Sequence, residues 1–121
     1  MNKYLPGAYE QEIHLRLLRI IAEADRSLTQ REMSRLAGIS IGKTNYCVRA
    51  LIQKGMVRAQ RFKNAKAKVA YIYKLTPAGL EEKLRLAAAF LKRKLREYEA
   101  LRREIESLQK EVHPSKELQN S

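Results

Sequence analysis

Between Glu10 and Ala24 the apolar residues Ile13, Leu17, Ile20, Ile21 and Ala24 recur at the spacing that lines one face of a helix, with Glu12, Arg16, Arg19 and Glu23 elsewhere. That pattern predicts a core-facing amphipathic helix and leaves His14 on its polar side as a surface residue. A second helix is announced by Thr29 and Glu32 at capping-box spacing, with Leu28 and Met33 placed as a hydrophobic staple, and it is expected to run to about Ala37. Gly38 supplies the left-handed residue that ends a helix without steric cost, and Ser40 is placed to cap a third helix from about Ile41 to Lys54, stopping at Gly55. Ile41, Val48, Leu51 and Ile52 are expected on its buried side.

After Gly55 the period changes. Met56 to Lys63 and Val69 to Leu75 are rich in β-formers, and Val69, Tyr71, Tyr73 and Leu75 alternate strictly, which predicts two strands of a hairpin around the basic tip Asn64 to Lys68. The strand tyrosines are read as core and strand-pairing residues. A last helix starts at Thr76-Pro77, with Thr76 as cap, and runs to about Val112, where His113-Pro114 ends it. Unbroken, it is roughly 36 residues and about 54 Å long, more than a domain of this size can cover with its own core. In heptads it places Leu84, Leu91, Tyr98, Ile105 and Val112 at one seam position and Leu80, Ala87, Leu101 and Leu108 at the other, with Lys94 as the interruption and Leu95 beside it. Pairing with a copy of itself is the expected use of such a seam, against a return onto the first helix of the same chain.

The expected architecture is mainly α with a small β-hairpin wing. It comprises an irregular arm over residues 1–9, a winged helix-turn-helix over 10–76, one long dimerisation helix over 77–112 and a disordered tail over 113–121.

Composition sharpens this picture through charge. The chain of 121 residues has a formal net charge of +12, which attracts polyanions. No Asp or Glu occurs from Met33 to Leu80, a stretch holding Arg35, Lys43, Arg49, Lys54, Arg58, Arg61, Lys63, Lys66, Lys68 and Lys74. A merely solubilising face competes as an explanation, though solubility does not call for so complete an exclusion of acids. With Cys47 as the single cysteine there is neither an intramolecular disulfide nor a cysteine zinc cluster. No apolar run suits a bilayer and Met1 opens no charged-then-apolar leader, so a cytoplasmic protein without a membrane partner is expected. His14 and His113 are the only histidines, and glycine-rich phosphate loops and paired acids in an apolar setting are missing. The reading is therefore not an enzyme, with no cofactor and no metal.

A recognition helix buries one side and offers the other to base edges in the major groove of double-stranded DNA. Opposite Val48 the third helix carries Gly42, Lys43, Tyr46, Arg49, Ala50 and Gln53, with Asn45 on the flank of this arc, and Thr44 is counted among its DNA-binding residues. Lys43 stands where a capping-box acid would be expected, which suits a phosphate bound by Ser40, Lys43 and the free N–H groups of the first turn. Arg49 is assigned to base reading, because a guanidinium spans guanine O6 and N7, against a plain phosphate or solvent contact. Tyr46 is read as stacking on a sugar or touching a thymine methyl, against partial packing under the wing. Cys47 is read as filler between the two faces. In the wing, Arg61, Lys63, Asn64, Lys66 and Lys68 would follow the minor groove or the backbone. The dimerisation residues are Leu84, Leu91, Leu95, Tyr98, Leu101, Ile105 and Leu108.

The runs Thr29-Gln-Arg-Glu32, Gly38-Ile-Ser40, Leu51-Ile-Gln-Lys-Gly-Met-Val57 and Leu75-Thr-Pro-Ala-Gly79 are similar to the MarR family of bacterial regulators over about Ile13 to Leu84. More narrowly, Ile41-Gly-Lys-Thr-Asn-Tyr46, Phe62-Lys-Asn64, Phe90-Leu-Lys-Arg-Lys94 and Tyr98-Glu-Ala-Leu101 resemble the branch associated with exopolysaccharide gene clusters. The resemblance implies a transcriptional regulator acting as a homodimer on an inverted-repeat operator, with Ser40 to Arg49 in successive major grooves and the hairpin tip in the minor groove. Two departures stand out. The family's wing tip carries an Asp-Arg pair, replaced here by Asn64 to Lys68, and its dimer uses helices from both ends of the chain around a ligand cleft. No small-molecule effector is therefore assigned. Two other classes compete: a winged-helix interaction module whose coiled coil recruits another protein, and an RNA-binding protein, which the scarcity of aromatics on the basic face opposes.

Overall fold

The computed structural model describes residues 7–63 and 69–114. In chain order it contains α1 (Ala8–Glu23), α2 (Gln30–Ala37), α3 (Ile41–Gln53), β1 (Val57–Lys63), β2 (Val69–Leu75) and α4 (Pro77–Val112). Residues 1–6, the hairpin tip Asn64 to Lys68 and the tail from Ser115 lie outside the described residues, and Ala8 and Tyr9, expected within an irregular arm over 1–9, instead form the first turn of α1 behind Gly7.

Local chemistry sets the boundaries. The Thr29 hydroxyl accepts from Glu32 N–H at 3.0 Å while the Glu32 carboxylate accepts from Thr29 N–H at 3.1 Å, a complete capping box at the start of α2. Gly38 ends that helix at φ 72° and Gly55 follows α3 at φ 74°, both in the left-handed region. Ser40 Oγ caps α3 by accepting from Lys43 N–H at 3.0 Å. At the head of α4, Thr76 Oγ1 accepts from Gly79 N–H at 3.0 Å and donates to the Gly55 carbonyl at 2.6 Å. This ties the end of the hairpin to the turn after α3.

α1 lies at the centre, packed against α2, α3 and β2. It buries Ile13, His14, Leu15, Leu17, Leu18 and Ile21, a wider face than one amphipathic stripe. Met33, Cys47, Val48, Leu51 and Val57 complete the core around it. β1 and β2 pair antiparallel with Val57 opposite Leu75 and Arg61 opposite Tyr71. Leu28 adds a bridge to Tyr71, exchanging N–H···O bonds of 2.8 and 3.1 Å, so a third short extended segment borders the hairpin. Tyr73 is buried, its ring centroid 5.6 Å from that of Tyr71, in keeping with a packing role for both.

His14 is the clearest correction within this unit. Expected at the surface, it is only 5% exposed. Burial pushes its imidazole below the usual histidine value of 6.5, with Lys54 and Lys43 acting the same way and Glu10 and Glu82 opposing. The folded chain therefore holds His14 neutral and binds fewer protons there than the unfolded chain does. Stability supplied by the neutral group is full above about pH 6.5 and is lost as pH falls from there through the folded-state value. We expect urea midpoints to drop between pH 8 and pH 5, and His14→Leu to drop less; an equal drop in both would remove His14 from the account.

α4 comprises 36 residues. The chain divides into two compact units within this helix, after Ala87. In the first unit Gly79 and Leu86 are buried, whereas Leu80 and Leu84 are exposed. In the second, Leu91, Leu95, Tyr98, Leu101, Ile105, Leu108 and Val112 are all exposed. Among the described residues, no helix is long and apolar enough to cross a membrane.

Candidate nucleic-acid interface

α2, the turn Gly38-Ile39-Ser40 and α3 form a helix-turn-helix. Ser34 carbonyl accepts from both Gly38 N–H (2.9 Å) and Ile39 N–H (3.1 Å), holding the turn closed. Arg16 of α1 reaches the Ala37 carbonyl with Nη1 at 3.0 Å and so satisfies one of the carbonyls left open at the end of α2. These bonds fix the angle at which α3 leaves the core.

The buried face of α3 is Thr44, Cys47, Val48 and Leu51. Gly42, Asn45, Tyr46, Arg49 and Gln53 are exposed on the opposite arc, with Tyr46 63% exposed, so its ring is not packed under the hairpin. Nothing lies within 4 Å of where a Cβ on Gly42 would stand, which leaves a smooth approach at the helix start. Arg49 has no ion pair with any described residue.

The structure places several of these residues differently from expectation. Thr44, expected at the DNA surface, is fully buried, its hydroxyl donating to the Ser40 carbonyl at 2.9 Å; it shapes the helix start from inside and cannot touch a duplex. Ile41 and Ile52, expected in the core, are 46% and 38% exposed at the rim of α3. Cys47, expected between the faces, is entirely buried, and desolvation raises its thiol above its ordinary value, so it fills space as an unreactive thiol. Lys43, expected to await a phosphate, already has an anion: its Nζ lies 2.5 Å from Glu10 Oε1 of α1 and 5.6 Å from the Tyr46 ring centroid. The hydrogen bond to Lys43 holds the Glu10 carboxyl below the usual carboxylate range. Glu10 is thus a member of the site that sequence reasoning missed, since nothing local connects it with Lys43.

In the hairpin, Arg61 is exposed, Lys63 closes β1 opposite Val69, and Asn64, Lys66 and Lys68 fall outside the described residues. Arg58 stands directly across from Lys74, and with Ile52, Gln60 and Ile72 they line an open groove of about 810 Å³. Like charges placed opposite one another on paired strands repel, and neither has an acid partner among the described residues. That face of the hairpin therefore carries positive charge that no described acid offsets.

A family model of winged helix-turn-helix DNA-binding proteins matches residues 10–58. The fold is a winged helix-turn-helix. By sequence, no curated protein matches the chain. Among solved structures, this winged helix is similar to an adhesin competence repressor of Streptococcus pyogenes, at 21% identity over 99% of this chain and 86% of that one, with a TM-score of 0.54. It is also similar to a zinc-responsive MarR-family member of Lactococcus lactis, at 18% identity over 83% of this chain and 64% of that one, with a TM-score of 0.54. A MarR-family transcriptional regulator from Silicibacter pomeroyi aligns at 23% identity over 64% of this chain, with a TM-score of 0.49. The chain spans 49% of that regulator's length. Identities this low speak for fold. Among the described residues of this winged helix, no three His, Cys, Asp or Glu side chains cluster as a metal site would need.

Proposed function

We propose that this chain is a cytoplasmic transcriptional regulator of the MarR kind that binds double-stranded DNA as a homodimer on an inverted-repeat operator, in the branch tied to exopolysaccharide genes. The observation that carries this reading is the outer arc of α3, where Gly42, Asn45, Tyr46, Arg49 and Gln53 are exposed within a stretch of chain that contains no acid. Ser40 and Lys43 at the start of the helix take a backbone phosphate, with Glu10 giving up Lys43. Arg49 reads a base, Asn45 and Tyr46 flank it, and Arg61, Lys63, Asn64, Lys66 and Lys68 of the wing follow the backbone or minor groove.

The test is binding to the chain's own upstream DNA and to a scrambled duplex, titrated with salt from about 50 to 200 mM. Preference for the upstream duplex persisting at high salt supports a sequence-reading regulator. Equal and steeply salt-sensitive binding to both would contradict that assignment, and no binding to either would favour a protein-interaction module working through the exposed seam of α4.

Arg49→Ala is expected to relax preference at one base pair by about 1 to 3 kcal/mol, whereas Arg61→Ala weakens all duplexes alike and lowers the salt slope by about one. An equal loss on every sequence for Arg49→Ala would assign that guanidinium to phosphate.

A further inference from the structure

The homodimer proposed above can pair its long helices in either direction, and the two directions place the DNA-binding domains differently. We propose that the segment Ala88–Val112 pairs with a second copy parallel and in register, a conclusion that rests on the homodimer reading. Leu91, Tyr98, Ile105 and Val112 occupy one seam position of this segment and Leu101 and Leu108 the other, each at least 46% exposed in the single chain. So many large apolar side chains on one helical face need an occupant.

The flanking positions identify it. On one side of the seam stand Phe90, Glu97 and Glu104, and on the other Leu95, Arg102 and Gln109. In a parallel pair each residue of the first flank meets the residue five positions further along the second copy. Phe90 then meets Leu95, Glu97 meets Arg102 and Glu104 meets Gln109, and symmetry repeats every pairing. Apolar faces apolar and acid faces base or amide. In an antiparallel pair each flank faces itself. With Tyr98 packed beside Leu101 of the second copy, Glu97 lies against the second copy's Glu104, twice, and two acids in contact repel. The surface is complementary to itself in one direction only.

Lys94, the polar interruption of the seam, fits the same arrangement. Its Nζ donates to Glu97 at 3.1 Å and lies 5.1 Å from the Phe90 ring centroid. Both partners belong to the flank, so the ammonium is drawn out of the seam and only its methylene stem packs inside. Two in-register Lys94 side chains therefore keep their charges apart on opposite sides of the pair. A single polar residue at a seam position is also what fixes register in such pairs. Parallel pairing brings both copies into the rod from the same end. Antiparallel pairing would separate the two entry points by the length of the paired segment, on the order of 35 to 40 Å.

The experiment is disulfide trapping in the full-length chain, where the buried Cys47 serves as its own background. Leu108→Cys is expected to oxidise to a covalent dimer at least about tenfold more than Arg103→Cys on the outer face, because only an in-register parallel pair brings the two copies of position 108 within disulfide reach. Failure of Leu108→Cys to link to itself, together with linkage in an equal mixture of Leu108→Cys and Leu91→Cys chains, would overturn the parallel orientation. A dimer by sedimentation that traps neither way would overturn pairing through this seam. A wild-type chain that sediments as a monomer would instead overturn the homodimer reading on which the orientation rests.

Discussion

A chain cut before Tyr98 is expected to sediment as a monomer and to bind the operator about 100- to 10,000-fold more weakly than the full chain. The cut removes Tyr98, Leu101, Ile105, Leu108 and Val112, most of the exposed apolar seam of the second unit, and leaves the winged helix whole. Each half-site contact would survive. What is lost is their joint engagement, since two half-sites about 34 Å apart are held together only when two recognition helices are linked. Circular dichroism should show helix loss in proportion to the residues removed. A truncated chain that still sediments as a dimer would take α4 out of the proposed assembly.

The second large effect is on stability. Gly79→Ala is expected to lower the melting temperature by about 5 to 20 °C, from an overpacking cost of about 1 to 3 kcal/mol at a domain of this size. A Cβ at position 79 would stand far inside van der Waals contact of the Met56 carbonyl, a backbone group without a side chain's freedom to move aside. That carbonyl also accepts from Thr76 N–H at 3.1 Å, so moving it loosens the joint that starts α4. Gly42→Ala is the matched control: its Cβ enters open space within α3, and replacing glycine in a helix is expected to raise stability by up to about 1 kcal/mol. Thermal melts of both variants decide the matter, and an unchanged melting temperature for Gly79→Ala would show that this joint gives way easily.

Element order and boundaries were legible because the chemistry that sets them is local. Thr29 with Glu32, Gly38, Ser40, Gly55 and Thr76-Pro77 act within a few residues of themselves, and each stands in the structure where the pattern placed it. What escaped depends on tertiary packing. Reading α3 by hydrophobicity put Ile41 and Ile52 inside and Thr44 outside. The buried face is in fact centred between Val48 and Cys47, about 50° around the helix, because Thr44 satisfies its own hydroxyl on the Ser40 carbonyl and needs no solvent. His14 escaped for a similar reason: α1 sits at the centre of its unit and buries a broader arc than its apolar stripe alone announces. The Leu28 bridge to Tyr71 was invisible too, since a single extended residue has no period. The exposed arc of α3 was legible in Arg49, Tyr46 and Asn45, and the Glu10 contact was not, since it joins residues 33 positions apart.

That contact changes how the cations of this surface should be counted. A duplex is accompanied by condensed cations that depart when protein charge replaces them. Lys43 carries its anion within the fold, so meeting a phosphate is for it an exchange of partners. In the proposed complex the Glu10–Lys43 couple would bring no net charge to the duplex, and the basic residues of this surface would then outnumber the ions they displace. In the proposed complex, position at the helix start, more than long-range attraction, is what Lys43 would contribute.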